Sequence, residues 1–287
     1  MVTEIGEQVQ KFYNKIPFPD YDLDQFNDKE DLVIKAGEFP NILDRSIPQK
    51  ASIIDVGTGT GQLSAYLSLR RKKVFGIDFS DSSLNKAKAL KKKLKLNSLT
   101  LKKVDILDSK QIEKLGKFDY VLCLGVLHHT GNAYKAFKNI LKLLKPNGYI
   151  AVGLYNRVGR IPLKVRIALS NTVFKNDQKI KDYFIKLQIG DVEDKERARG
   201  WWHDQYQHVH ETTHTVGEVR RWFKKNNIEC LETVPVTEWN TEGVLSIGGV
   251  FSKEGYSNFL IRFYRQLTWL WKTHREGGYW ITFGRKK

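Results

Sequence analysis

The run Asp55-Val56-Gly57-Thr58-Gly59-Thr60-Gly61 sets a carboxylate just ahead of three alternating glycines. Glycines between a strand and a helix let the chain turn tightly and let a ligand reach the main chain. Two details narrow the ligand. A dinucleotide fingerprint needs glycine where Gln62 stands, and a phosphate-gripping loop needs a terminal Gly-Lys-Ser/Thr that is absent. Asp55 would repel a pyrophosphate, yet it suits a ligand bearing a positive sulfonium and an ammonium group. Asp78 follows 23 positions later, close to the ~20-residue offset at which an acidic side chain meets a ribose. Asp105, in Val104-Asp105-Ile106-Leu107, stands where a carboxylate can accept from an adenine amino group. A lone aspartate at such a place also serves as a helix N-cap. Three at the ends of successive strands point instead to a ligand crevice, and the chemistry they share is that of S-adenosylmethionine.

The elements that must carry these residues are readable from hydrophobic period and turn signals. Residues 3–16 place Ile5, Val9, Phe12 and Ile16 on one helix face, ending at Pro17, and Pro17-Phe18-Pro19 with Tyr21 reads as extended. Strands are expected at 51–56, 74–77, 99–104, 120–124 and 149–154, with helices at 62–71, 83–94 and 133–144. Such alternation predicts a parallel, doubly wound sheet. Residues 157–212 break the rhythm with polar, partly helical sequence. Thr215 and Glu218 form a T-x-x-E capping box that opens a helix with Val219, Trp222 and Phe223 inward. A sixth strand is expected at 228–234, an aromatic amphipathic helix at 256–271 and a last strand at 279–283.

The segments IIDVGTGTGQLSAYL, GIDFS, VDILD, FDYVLCLGVLHHT and LKPNGYIAVGLYN within residues 51–155 resemble the class I S-adenosylmethionine-dependent methyltransferases. The resemblance implies an α/β, Rossmann-like seven-stranded sheet with an antiparallel last strand and helices on both faces. It also implies that Asp55, Gly57, Thr58, Gly59 and Gly61 surround the methionine moiety. Asp78, with Phe79 and Ser80 after it, would meet the ribose, Asp105 and Ile106 the adenine, and Leu124 and Gly125 the opposite side of the cofactor. Residues 1–40 are read as an N-terminal cap, and 41–287 as the methyltransferase domain with cleft-covering insertions at about 157–212 and 239–277. The FYNKIPFPDY opening and DQYQHVHETTHT look like a bacterial subgroup of methyltransferase-domain proteins whose substrates the motifs do not specify.

Methyl transfer from a sulfonium is a direct displacement, so the protein chiefly aligns the reactants and excludes water, adding a base where the nucleophile enters protonated. Candidate catalytic residues are His128 and His129 after the fourth strand, Tyr155 after the fifth, and Tyr206 and His208 in the insertion, with Asn156, Asp204, His210 and His214 nearby. The bland alternative, which weighs somewhat more, is that one of His128 and His129 packs against the cofactor as a polar wall. An H-x-H with a neighbouring carboxylate can ligate a metal. No HExxH-type pairing accompanies it, although His210 and His214 are four apart, so the cluster is read as a substrate-facing lid or hydrogen-bond network and no metal is expected.

The 287 residues are 41% hydrophobic and 28% charged, the balance of a globular chain, and two cysteines build no disulfide framework. No basic segment followed by an apolar core opens the sequence and no run of about 18 apolar residues occurs, so a soluble, cytoplasmic protein is expected. The net charge of +16 suits a polyanion such as RNA. Much of it, however, is lysine in Lys86–Lys103, which reads as a solvated helix face. A small-molecule acceptor is therefore expected, with an RNA methyltransferase or a non-catalytic cofactor-binding regulator as rivals. The aromatic helix either packs on the sheet or lies at a membrane surface beside a lipid-like substrate. Oligomeric state leaves no sequence signal.

Overall fold

A computed structural model of the chain describes residues 4–175, 177–190, 195–234, 249–251, 259–272 and 277–287. The helices α1 (Glu4–Lys15), α2 (Lys29–Lys35) and α3 (Glu38–Ser46) precede the sheet. Strand and helix then alternate: β1 (Ile53–Val56), α4 (Gln62–Ser68), β2 (Val74–Asp78), α5 (Asp81–Lys93), β3 (Leu99–Lys103), α6 (Ser109–Glu113), β4 (Phe118–Leu124), α7 (Ala133–Ile140) and β5 (Leu144–Tyr155). Three helices follow, α8 (Ile161–Asn171), α9 (Gln178–Ile189) and α10 (Lys195–Tyr206). The chain continues through α11 (Val216–Lys225), β6 (Ile228–Val234), α12 (Phe259–Lys272) and β7 (Tyr279–Lys286).

The seven strands lie in the order β3-β2-β1-β4-β5-β7-β6, with β7 antiparallel to both neighbours and the rest of the β3–β5 sheet parallel. This is the expected sheet. Strand order reverses between β1 and β4, and a crevice at such a switch point opens at the carboxyl ends of the strands. Ile53 and Ile54 of β1 enter cores on opposite faces, as the two-residue strand period requires. One core joins the sheet to Phe137 and Ile140 of α7, Val219 and Phe223 of α11, and Trp269 of α12. The other joins it to Leu43 of α3, Leu67 of α4 and Leu90 of α5.

Three departures from the sequence reading have local causes. The predicted helix over 133–144 ends at Ile140, because Leu144 pairs with Phe118 and already belongs to β5. A register shift between Phe118 and Tyr120 then absorbs the turn at Asn147, whose φ is 60°. Residues 29–46, to which the sequence reading assigned no element, fold into α2 and α3, held by the buried Leu32, Leu43 and Ile47 and by Arg71, which donates to the carbonyls of Asp44 and Ile47 and pairs with the Asp44 carboxylate. The lysine-coated α5 is only partly a solvated face. Lys86 pairs with Asp20 and lies 4.6 Å from the Tyr21 ring centroid, and Lys93 meets Asp24 at 3.1 Å, so the helix also anchors the N-terminal segment. The predicted aromatic helix appears as α12 from Phe259, and most of the expected insertion at 239–277 lies outside the described residues. No described helix is long and apolar enough to cross a membrane.

Candidate active site

The glycine loop is tied to β2 by its own main chain: the N–H groups of Gly57 and Thr58 donate to the Ile77 carbonyl at 2.8 and 2.9 Å. Asp78, at the end of β2, fixes the next turn. Its Oδ2 accepts from the Gly59 N–H and its Oδ1 from the Ser80 N–H, each at 2.8 Å. Gly59 is required twice over, since its φ is +54° and a Cβ there would lie 2.3 Å from the Phe18 carbonyl oxygen. Beside the loop, Asp55 accepts from the Thr58 hydroxyl at 2.8 Å. Burial pushes the Asp55 carboxyl up to about 7, with Asp78 adding to the shift. Burial also raises Asp78, against the pull of the N–H donors from Ser80, Gly59 and Phe79. Among the described residues neither carboxylate has an ion pair, so this wall is complementary to a cation and fits the sulfonium and ammonium of S-adenosylmethionine.

Asp55, Gly57, Thr58, Gly59, Asp78, Phe79, Ser80, Asp105, Ile106, Leu124 and Gly125 all line a single cavity of about 1470 Å³. Gly61 does not. It starts α4 with φ +82° and packs against Ala87. One Asp105 oxygen accepts the Leu107 N–H at 2.8 Å. Binding of S-adenosylmethionine between pH 6 and 7 is expected to release a proton, because Asp55 titrates at about 7 in the free protein and a cation beside it lowers that value. Affinity should therefore rise with pH over this interval, where the ligand's amine is still below its ordinary ~7.7 and charged. Titration calorimetry in buffers of differing ionisation enthalpy measures the release, and Asp55→Asn should abolish it. Equal proton release by the variant would assign it elsewhere.

At the other end of the cavity stand Tyr13, His129, Tyr155, Trp201, Asp204 and Gln205. Hydrogen bonds set the proton positions. His129 Nδ1 faces the His210 carbonyl at 3.1 Å and must donate to it, so the lone pair is on Nε2. Burial holds the His129 pKa well below its ordinary range, with His128 and His208 adding to the effect, and the ring is neutral at physiological pH. His208 has the opposite tautomer. Its Nδ1 accepts the His210 N–H at 3.1 Å, so Nε2 donates to the Tyr13 hydroxyl at 3.1 Å, and Tyr13 donates to Asp204 Oδ1 at 2.7 Å. Gln205 Nε2 donates to Asp204 Oδ2 and to the Tyr155 hydroxyl, both at 2.6 Å, which leaves the Tyr155 proton for another acceptor. The buried Arg160 holds this end rigid. It donates to Gln205 and the Gly277 carbonyl, pairs with Glu211, and lies 3.6 Å from the Tyr155 ring centroid.

The five candidate catalytic residues thus separate. His129 and Tyr155 line the cavity, while His208 stands behind His129, its ring stacked at 3.7 Å. His128 is fully buried against the Tyr155 ring, with both ring nitrogens lacking a partner among the described residues. Tyr206 is turned away, stacked 4.1 Å from Trp202 and beside Phe184 in a small core of α8–α10. Asn156 and His214 pair main chains next to β5, and His214 takes the carboxylate of Glu218, the acid expected to complete the capping box. Gln205 and Arg160 are site residues the sequence reading did not select, and Tyr13 is one it placed only in the N-terminal cap over the cleft. One group of metal-ligand type occurs among the described residues: His129, Asp204 and His208, with donor atoms within 4.8 Å of one another. Ligation through His208 Nε2 would need a proton on Nδ1, against the His210 N–H, and would displace Tyr13. As hydrogen-bonded, His208 and Asp204 are joined through the Tyr13 hydroxyl, and His129 stacks on His208.

Helix α1 closes the cavity from above. Gln10 donates to the Phe79 carbonyl at 2.9 Å, Asn14 accepts from Ser80 Oγ at 2.9 Å, and Phe12 stacks 3.7 Å from His203. The N-terminal segment therefore bridges the glycine loop side and the α10 side of the same space.

A family model described as a methyltransferase domain matches residues 47–227, more than half of the chain. Over 110 residues the chain is 33% identical to a ubiquinone biosynthesis O-methyltransferase of Rickettsia conorii, covering 38% of this chain and 36% of that protein. A ubiquinone biosynthesis O-methyltransferase of Dechloromonas aromatica is 35% identical over 111 residues, covering 37% of this chain and 44% of that one. The match spans less than half the length of these curated relatives. Among solved structures, PKMT2 from Rickettsia typhi aligns with a TM-score of 0.57 at 17% identity, over 87% of this chain and 52% of that one. The same protein in complex with AdoHcy aligns with a TM-score of 0.54. These structural likenesses show the fold.

Proposed function

Because the chain belongs to the methyltransferase-domain family, we propose that it moves the methyl group of S-adenosylmethionine to a hydroxyl oxygen of a small-molecule acceptor held in the same cavity. The supporting observation is the cavity itself. Its volume of about 1470 Å³ reaches from Asp78 and Asp105 to His129 and Tyr155, and exceeds the ~300–1000 Å³ that a single drug-sized ligand fills. Bound S-adenosylmethionine supplies an electrophilic methyl group. The chain's own tasks are to hold it, to orient the acceptor and to take a proton. Asp55 and Asp78 oppose its positive charge and its ribose, while Asp105 accepts from the adenine. Tyr155 donates its free proton to the acceptor and orients it. His129 Nε2 removes the acceptor's proton as the oxygen attacks. The imidazolium so formed lies within 4.8 Å of Asp204, an attraction of about 3 kcal/mol at an effective dielectric of about 20. Tyr13 and Gln205 fix the Asp204 carboxylate for that purpose, and α1 excludes water. A hydroxyl acceptor also agrees with the O-methyltransferase names of the relatives.

Methyl-labelled S-adenosylmethionine incubated with the protein and a cell extract, then separated into small molecules, lipids, RNA and protein, tests this reading. Label is expected among small molecules or lipids. Label in RNA, lost on ribonuclease treatment, would make the net charge the better guide to the substrate. Cofactor binding with no label transferred to any fraction would favour a regulator.

A further inference from the structure

Helix α7 turns Ala133, Ala136, Phe137 and Ile140 into the core, and beside them an amide, Asn139, which is 6% exposed. Asparagine is a poor helix former, and its amide is costly to bury unpaired. A partner reaches it from elsewhere in the chain. Asn139 Nδ2 donates to the Ile106 carbonyl, 33 residues away in sequence, at 2.9 Å. Ile106 lies in the loop from β3 to α6, which is tied at two other points. The Val104 N–H donates to the Asp78 carbonyl at 2.9 Å, and the Leu107 N–H to Asp105 Oδ1 at 2.8 Å. Among the described residues no donor meets Asp105 Oδ2, so that oxygen is left for a ligand in the cavity that Asp105, Ile106 and Leu107 line.

A second stretch of the cavity wall also rests on α7. Val126 and Thr130 line the cavity and flank the turn of His128 and His129, and that turn packs on α7. Asn139 therefore sets the β3–α6 loop in register with the turn that follows β4. Lys142 also reaches Glu113 and Ser109 of α6, at 2.7 and 2.5 Å, but an ion pair between exposed side chains contributes little. We propose that Asn139 is a positioning residue for the adenine of S-adenosylmethionine. Its bond to the Ile106 carbonyl fixes the main chain directly after Asp105, and with it the direction in which Asp105 Oδ2 meets the exocyclic amino group. Hypoxanthine would turn a carbonyl oxygen toward the same carboxylate. Selectivity for adenine over hypoxanthine then depends on an amide that does not itself line the cavity. The inference rests on the placement of the adenine at Asp105 and Ile106.

Calorimetric titration of the full chain with S-adenosylhomocysteine, S-inosylhomocysteine and methylthioadenosine tests it. The parent is expected to favour S-adenosylhomocysteine over its inosine counterpart by about tenfold to a hundredfold. Asn139→Leu keeps the bulk and removes the donor, and should reduce that preference to about threefold or less. The preference for S-adenosylhomocysteine over methylthioadenosine, which reads the amino-acid end of the site, should stay as in the parent. A parent that binds the two purines alike, or neither, would overturn the placement of the adenine and the proposal with it. A selective parent with an equally selective variant would overturn the proposal alone. So would an equal fall in both preferences, which marks a general loosening of the cleft. Asn139→Ala, measured in the same way, replaces a leucine variant that does not fold. Failure of both variants to fold would make Asn139 a folding residue and overturn the proposal.

Discussion

Replacing His129 with asparagine is expected to lower kcat by about 10²–10⁴-fold, the range for loss of a positioned general base. Affinity for S-adenosylhomocysteine should stay essentially where it was. The asparagine amide can still donate to the His210 carbonyl that His129 Nδ1 faces, so the local packing is kept and only the Nε2 lone pair is lost. A fall in kcat with cofactor affinity retained separates a base from a wall residue. His128 provides the control. It is adjacent in sequence, but it is fully buried and does not line the cavity, so His128→Asn should cost stability rather than turnover. Single-turnover kinetics with labelled cofactor measure both. Full rate in the His129 variant would place the base elsewhere.

The second large effect is at Asp78. Loss of a ribose hydroxyl's partner alone weakens binding by about 1–3 kcal/mol. Asp78 does more than meet a ligand, because its two oxygens hold the Gly59 and Ser80 N–H groups. Asp78→Ala frees both donors and loosens the loop that carries the cofactor. The combined loss in S-adenosylhomocysteine affinity should be about 3 kcal/mol, on the order of a hundredfold. Asp78→Asn keeps one carbonyl oxygen for the loop and should lose less. Calorimetric titration reads both variants. Unchanged affinity in Asp78→Ala would remove Asp78 from the cofactor site.

That Asp55, Asp78 and Asp105 would line one crevice was legible because they are local signals at strand ends. Asp55, Asp78 and Asp105 need only the strand-turn-helix pattern to be placed at one edge of a parallel sheet. The wall around His129 is built across the chain: Tyr13 and Asp204 are 191 residues apart and meet through one hydrogen bond. No motif encodes such a pair. The choice of Tyr206 over Gln205 shows how a usable signal was missed. Trp202 and Tyr206 stand four apart and stack at 4.1 Å, so they share the core face of α10. The face shared by Trp201 and Gln205, also four apart, is then the one that lines the cavity. Arg160 was obscured for a different reason. An arginine at the start of a polar stretch reads as solvated, yet three partners and the Tyr155 ring bury it completely enough to brace the site. The lysines of α5 were half legible, since periodicity fixes their outward side but not that Lys86 and Lys93 reach Asp20 and Asp24.

The most direct measurement is a crystal structure of the protein with S-adenosylhomocysteine. The ribose is expected on Asp78, the adenine amino group toward Asp105, and the sulfur directed at the space between His129 and Tyr155, with room left there for an acceptor. A ligand seated away from the glycine loop, or one that fills the His129 end and leaves no such room, would contradict the account.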